Sequence, residues 1–309
     1  MTKLYSYKIG AFYKFVKLTD LDNLKIIITD LAKSCNLMGT ILLAEEGINS
    51  TCSSTPENLD LFIDKLKQIN VFSDINPKYS FHDDEPFFRL KVIIKKEIVK
   101  LGVNGIDPTK KVGVYVSSPE WNKLISRDDV LLIDTRNEYE TKVGIFKGAI
   151  DPHTDAFTEF PDFVKKNLDV KKHKKIAMYC TGGIRCEKAT AFMLDQGFEE
   201  VYHLQGGILK YIEDMPVEDS LWEGECFVFD GRTAVGNTLI QGESRLCFAC
   251  RSTLNEEDLN SNLYEEGISC QYCYGKISEK KMKAIKERQK QLILSNARGI
   301  KHIGAEMIK

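Results

Sequence analysis

The sequence predicts a multidomain protein of mixed α/β and α+β class, and three observations carry that prediction. Strand and helix patterns over the first hundred residues follow the order βαββαβ. From Ser118 onward, buried-type strands alternate with helices, as in a parallel sheet covered on both faces. Beyond Pro216 the chain becomes aromatic and then cysteine-rich, with two C-x-x-C pairs. At 309 residues, two or three domains are expected from about 150 residues per domain.

In the first module, residues 1–98, Tyr5 to Val16 reads as a strand. A helix follows from Leu21 to Cys35, with Leu24, Ile27, Ile28 and Leu31 at helical spacing. Gly39 to Ala44 and Ile48 to Cys52 are short strands parted by Glu45, Glu46 and Gly47. Pro56 to Ile69 reads as a second helix, with Thr55 as N-cap and Pro56 at the first helical position. Phe87 to Lys95 is the final strand of what is then a split βαβ, ferredoxin-like module. Residues 99–117, with Gly102, Gly105, Pro108 and Gly113, read as a linker.

The second module, residues 118–225, begins with a helix at Pro119 to Ile125 and a strand at Val130 to Asp134. A helix near Phe157 to Asn167 precedes the strand Lys175 to Cys180. The helix Arg185 to Gln196 ends at Gly197, and Val201 to Leu204 and Ile208 to Asp214 complete a parallel α/β unit. Working loops of such sheets lie beyond the carboxyl ends of the strands, where Asp134 and Cys180 both fall. Residues 226–309 form a small cysteine-rich module with a basic helical tail.

Composition narrows the function classes. With 28% charged residues, 8 Pro and 21 Gly, disordered and collagen-like readings fail. Apolar runs such as Val130 to Ile133 fall far short of the ~20 residues of a membrane span. The N-terminus, MTKLYSYKIG, lacks a signal-peptide core, so a cytoplasmic location without a membrane partner is expected. Nine cysteines in a reducing compartment then point to metal ligation or thiol chemistry. A net charge of −2 neither announces nor excludes a nucleic-acid partner.

The sharpest motif is YCTGGIRCEK, Tyr179 to Lys188. A cysteine closes a buried strand, and a loop of Thr181, Gly182, Gly183 and Ile184 opens a helix. Inward amides, the helix N-terminus and Arg185 all favour a thiolate on Cys180, the reactive form of sulfur. Cys186 is either a resolving thiol for Cys180 or a small first-turn residue facing the loop.

C-x-x-G-x-R, together with DTRNEYE at Asp134 to Glu140 and KGAI at Lys147 to Ile150, resembles the rhodanese domain. The resemblance implies a persulfide-carrying Cys180 and supporting roles for Asp134 and Arg136, and alone it implies a sulfurtransferase served by a persulfide donor protein. LLAEEGINST at Leu42 to Thr51, FRLKVIIKKEIVKLG at Phe88 to Gly102, YCTGGIRCEK and WEGECFVFDGR at Trp222 to Arg232 together resemble the tRNA uridine hydroxylase family with a central rhodanese domain. That resemblance spans the chain. It implies oxygen-dependent hydroxylation of the wobble uridine to 5-hydroxyuridine, the precursor of 5-oxyacetic acid-type modifications. Molecular oxygen is then a co-substrate, with a reductant, and the anticodon loop of tRNA is the partner.

Oxygen chemistry usually enlists iron, copper or flavin. An iron facial triad needs two histidines and a carboxylate, and His82-Asp83-Asp84 offers only a nominal start, with His153, His173, His203 and His302 elsewhere. No dinucleotide fingerprint opens a helix. The remaining candidate is Cys180, whose attack at C6 of the uracil would activate C5.

Cys247, Cys250, Cys270 and Cys273 form two C-x-x-C pairs separated by nineteen residues, the spacing of a structural zinc site; a redox dithiol pair or metal-free thiols are the alternatives. Positive charge gathers at Arg89, Lys91, Lys95 and Lys96 and in a run from Lys165 to Lys175 that includes Lys166, Lys171, Lys172 and Lys174. Each cluster is either a solvated face or a track for phosphates around the active loop. Tyr179, Tyr202, Trp222, Phe227 and Phe229 are either stacking platforms or core.

Overall fold

The structure is a computed structural model describing residues 5–299; His302 and the end of the basic tail lie outside the described residues. The N-terminal ferredoxin-like domain holds β1 (Tyr7–Phe15), α1 (Leu21–Ser34), β2 (Met38–Ala44), β3 (Gly47–Ser54), α2 (Pro56–Lys67), β4 (Lys78–His82) and β5 (Leu90–Ile94). Its sheet runs β4-β1-β3-β2-β5. Thr55 caps α2 by accepting from the Asn58 amide, and Pro56 sits in the first turn. Ile28 and Ala32 of α1 and Leu59, Phe62 and Leu66 of α2 bury against Phe12, Ile41, Leu43 and Ile48 on one face of the sheet. Strand periodicity sends Ala11, Tyr13, Leu42 and Asn49 to the opposite face, which neither α1 nor α2 covers.

One strand of this domain differs from the sequence expectation. β4 pairs with β1 and closes the βαββαβ core, whereas the expected final strand is β5, a fifth strand parallel to β2 at the far edge. KYSFH escapes a periodicity reading because it is short and alternates without a clear apolar face.

The central sheet runs β6-β10-β9-β7, all parallel, from β6 (Val114–Val116), β7 (Val130–Asp134), β9 (Lys175–Tyr179) and β10 (Glu200–Leu204). β6 lies within the segment read as a linker; three residues are too few to show a pattern. Helix α3 (Ser118–Ile125) precedes β7, and a helix α4 (Glu138–Thr141) and strand β8 (Gly144–Phe146) follow it. Helices α5 (Phe160–Asn167) and α6 (Ile184–Asp195) cover one face, while α3 and α7 (Gly207–Asp214) cover the other. Alternation along β9 sends Ile176 and Met178 towards α5 and α6 and Ala177 and Tyr179 towards α3 and α7.

β8 pairs with β11 (Trp222–Gly224), and β12 (Cys226–Phe227) pairs with β13 (Ala234–Val235). Cys226, Val228 and Val235 complete the central core, so packing carries the central unit past residue 225. β14 (Arg245–Leu246), β15 (Thr253–Leu254), α8 (Glu256–Leu259) and α9 (Glu279–Ala297) surround the four cysteines, with Leu254 and Ile285 buried beside them. No helix among the described residues is long and apolar enough to cross a membrane.

Candidate active site and metal centre

Cys180 follows the last residue of β9 and is 1% exposed. Its loop is pinned by α7, whose Ile208 and Leu209 amides donate to the Cys180 and Thr181 carbonyls at 3.0 and 3.1 Å. Gly207, at φ +69°, permits that approach: a Cβ there would stand 2.5 Å from the Cys180 carbonyl oxygen and 2.8 Å from the Gly183 nitrogen. The Gly183 amide donates to Cys180 Sγ at 3.1 Å. Burial alone raises a thiol pKa. Here the Cys186 thiol, the Arg185 guanidinium and the Cys186 and Arg185 amides outweigh it and bring Cys180 down to about 5. Cys186 moves well up, because burial and the neighbouring Cys180 disfavour its ionisation. Cys186 therefore faces Cys180 as a protonated donor and also touches Thr135 Oγ1 at 3.6 Å.

Arg185 is held by a residue to which the sequence reading assigned no role. Its two terminal nitrogens donate to Glu140 at 2.7 and 2.6 Å, and Thr181 Oγ1 also donates to Glu140 at 3.3 Å. Glu140 closes the DTRNEYE motif, and Asp134 and Arg136 explain how it gets there. Arg136 forks onto Asp134, with Nε and one terminal nitrogen donating at 2.9 and 2.6 Å. The same guanidinium donates to the Glu140 carbonyl at 3.2 Å and the Gly144 carbonyl at 2.6 Å. This fully buried pair folds the α4 turn back beneath the loop, so that the Glu140 carboxylate meets Arg185. Asp134 and Arg136 thus position the site from behind.

Cys180 and Thr181 open into a cavity of about 480 Å³ at the junction of the modules. Its roof is the face of the N-terminal sheet that neither α1 nor α2 covers, with Ala11, Tyr13, Leu42 and Asn49, and its side is Val228, Phe229 and Arg232. Lys78 of β4 donates to the Gly182 carbonyl at 3.0 Å, and Arg232 donates to Ser80 Oγ at 2.9 Å. The joint is locked by Lys188, 2% exposed, which meets Glu46 at 2.7 Å and Glu97 at 2.6 Å. Glu46 also accepts from the Ile98 amide at 2.7 Å. The motifs LLAEEGINST, FRLKVIIKKEIVKLG and YCTGGIRCEK therefore meet in one interface. Tyr13, Lys78, Glu140 and Glu187 escaped the sequence reading. Only Glu140 and Glu187, inside quoted motifs, carried a signal that could have found them.

The basic residues divide. Lys91 pairs in register with Thr40, which lines the cavity, so Lys91 and the exposed Arg89 extend the roof at its edge. Lys175 begins β9 while Cys180 follows its end, so the lysine run lies at the opposite end of the sheet from the loop. Lys165 and Lys166 end α5 there, Lys172 is exposed, and Lys175 pairs with Asp129 at 2.7 Å. That cluster does not border the loop. Tyr179 and Trp222 pack edge-on around Phe146 as core, at centroid distances of 4.8 and 5.1 Å, whereas the exposed Phe229 borders the cavity.

The sulfurs of Cys247, Cys250, Cys270 and Cys273 lie within 4.8 Å of one another, the only such group of three or more ligand side chains among the described residues. Cys247–Cys273, Cys250–Cys270 and Cys270–Cys273 separations are 3.9, 3.6 and 3.8 Å. Zinc–sulfur bonds of about 2.3 Å at tetrahedral angles put sulfurs about 3.8 Å apart. The four cysteines thus fit a metal such as zinc. They would fill its coordination shell and leave no position for substrate.

Residues 7–98 match the model of the UPF0176 acylphosphatase-like domain, and residues 117–214 match that of the rhodanese-like domain. Among solved structures, the chain is similar to a rhodanese-related protein from Thermoplasma volcanium (23% identity, 33% of this chain and 95% of that chain, TM-score 0.28). It is similar to the rhodanese-like domain of an Anabaena sp. protein (20% identity, 43% and 92% covered, TM-score 0.29). A Bacillus halodurans protein is also similar (24% identity, 34% and 76% covered, TM-score 0.28). A UPF0176 acylphosphatase-like domain followed by a rhodanese-like domain matches the architecture of the UPF0176 family.

Proposed function

We propose that the protein hydroxylates C5 of the wobble uridine in tRNA, using molecular oxygen and Cys180. The observation that carries this reading is the roofed cavity over a thiolate-favouring cysteine, built jointly by the two domains that define the UPF0176 architecture. A volume of about 480 Å³ is in the usual range for a small-molecule site, and apolar Ala11 and Leu42, which line the same cavity as Cys180, suit a flat ring. A wobble base belongs to a single-stranded loop, so it reaches such a pocket at little unpairing cost.

In this reading the Cys180 thiolate adds to C6 and raises electron density at C5, where oxygen reacts. One oxygen atom stays as the hydroxyl and the other leaves as water, with two electrons from an external reductant. Arg185 and the loop amides hold the sulfur as an anion whenever it is not bonded to carbon. Arg89 and Lys91 at the roof's edge are placed to meet phosphates. A cytoplasmic location and a structural zinc belong to the same proposal.

Nucleoside mass spectrometry of tRNA tests it, comparing cells with the gene, without it, and with Cys180→Ser alone. Loss of 5-hydroxyuridine derivatives in both defective strains is expected. Unchanged tRNA in both would refute the reading and favour sulfur transfer through a Cys180 persulfide. Loss only in the deletion would demote Cys180 to structure.

A further inference from the structure

Behind the active loop lies a second cavity of about 860 Å³, and Tyr13, Lys78 and Lys210 line both. The buried Glu187 lines only the second. Tyr13 Oη donates to Glu187 Oε1 at 2.9 Å, and Tyr115 Oη donates to Oε2 at 2.7 Å. Tyr13 Oη would lie 2.9 Å from a Cβ on Gly183, which places the phenol directly against the loop that carries Cys180.

Most other polar side chains at the first cavity are engaged. Asn49 donates to the Ile98 carbonyl, and Arg185 is paired with Glu140. Arg232 is paired with Asp230, and Glu213 with Lys210. Glu187 differs from Glu46, Glu97 and Glu140 in that its partners are neutral phenols rather than an ammonium or guanidinium. Burial accordingly holds its carboxyl above the usual range, against the two phenol hydrogen bonds and Lys78 and with the repulsion of Cys180. His203 packs against Tyr115 at 4.2 Å, and burial takes it down to about 4, so it is neutral at physiological pH. Lys188, next along α6, is committed to Glu46 and Glu97.

We propose that Tyr13 and Glu187 form a proton relay for the Cys180 cavity, with Tyr13 touching the substrate and Glu187 acting through it; this rests on the uridine reading above. In the closing elimination, Tyr13 accepts the hydrogen on C5 as its own proton passes to Glu187. The C5–H electron pair becomes the C5–C6 double bond, and the C6–S pair returns to Cys180. Run backwards, the same relay delivers a solvent proton to C5.

Anaerobic release of tritium from tRNA carrying [5-³H]uridine reads this step without oxygen or a reductant. Wild-type protein should release tritium and Cys180→Ser should not. Tyr13→Phe and Glu187→Gln should slow release on the order of 100-fold. Tyr115→Phe should still release it, but with the acid limb of the pH profile moved to higher pH, because the carboxylate loses a stabilising hydrogen bond. An unchanged pH midpoint for Cys180 alkylation checks that Tyr13→Phe keeps its loop, and a midpoint no higher than wild type checks Glu187→Gln, which removes a charge that repels the thiolate. Wild-type release from a correctly folded Tyr13→Phe protein would overturn the relay and leave the hydroxylation reading intact. Absence of release from wild-type protein would overturn sulfur addition at C6, and the relay with it.

Discussion

Replacing the Arg185–Glu140 pair tests what makes Cys180 a thiolate. Arg185→Met alone would leave a fully buried carboxylate unpaired, a cost of about 3–5 kcal/mol that would confuse chemistry with folding. The double variant Arg185→Met/Glu140→Gln removes both charges and most of that cost. A hydrogen bond or close contact with a charged group contributes about 1.5–3 kcal/mol, and one pKa unit is 1.36 kcal/mol. Loss of the guanidinium therefore raises the Cys180 pKa by roughly 1–2 units, from about 5 to roughly 6–7. The assay is the pH dependence of Cys180 alkylation by iodoacetamide, followed by peptide mass spectrometry. Reactivity rises as pH passes the thiol pKa, so the midpoint moves to higher pH in the variant. Cys52 and Cys226, which burial pushes up to about 12, should stay unlabelled throughout. An unchanged midpoint would show that the loop amides and Cys186 suffice and that Arg185 only shapes the loop.

Other expectations follow from the same contacts. Lys188→Met should lower the unfolding free energy by about 1–3 kcal/mol, less than for a fully buried pair because Glu46 and Glu97 are partly solvated, as measured by urea denaturation. Limited proteolysis of that variant should cut between the first two domains. Gly207→Ala should displace the active loop and raise the alkylation midpoint of Cys180, since its Cβ meets the Cys180 and Thr181 carbonyl oxygens and the Gly183 nitrogen. Cys270→Ser should abolish stoichiometric metal in the purified protein and unfold the region around α9, seen by elemental analysis and hydrogen exchange; a folded, metal-free region would contradict a structural centre.

Much of the architecture was legible because hydrophobic period and capping agree. α2 has Thr55, Pro56 and a buried Leu59–Phe62–Leu66 stripe, and β7 and β9 are short apolar runs ended by chemistry-bearing residues. β4 and β6 were hidden because their side chains answer to tertiary partners: Lys78 to the Gly182 carbonyl and Tyr115 to Glu187. The Cys180 loop could be read because its backbone geometry demands glycine and its charge demands arginine. Glu140 could not be assigned, since only folding brings it 45 positions along the chain to Arg185. The lysine run misled because sequence proximity to Cys180 conceals a strand's length of separation. The domain interface is invisible in the sequence: the motifs holding Glu46, Glu97 and Lys188 stand out, but Tyr13 and Lys78, which also form it, do not. Spacing reveals a local loop, but not which faces meet across a hundred residues.

The most direct measurement is isotope labelling of the proposed product. Cells carrying the wild-type gene as their only source of this activity, grown under ¹⁸O₂ in ordinary water, should yield 5-hydroxyuridine nucleosides bearing ¹⁸O at C5, and Cys180→Ser cells should yield none. Hydroxylated nucleoside carrying only ¹⁶O, or label persisting without Cys180, would contradict an oxygen-dependent reaction centred on this sulfur.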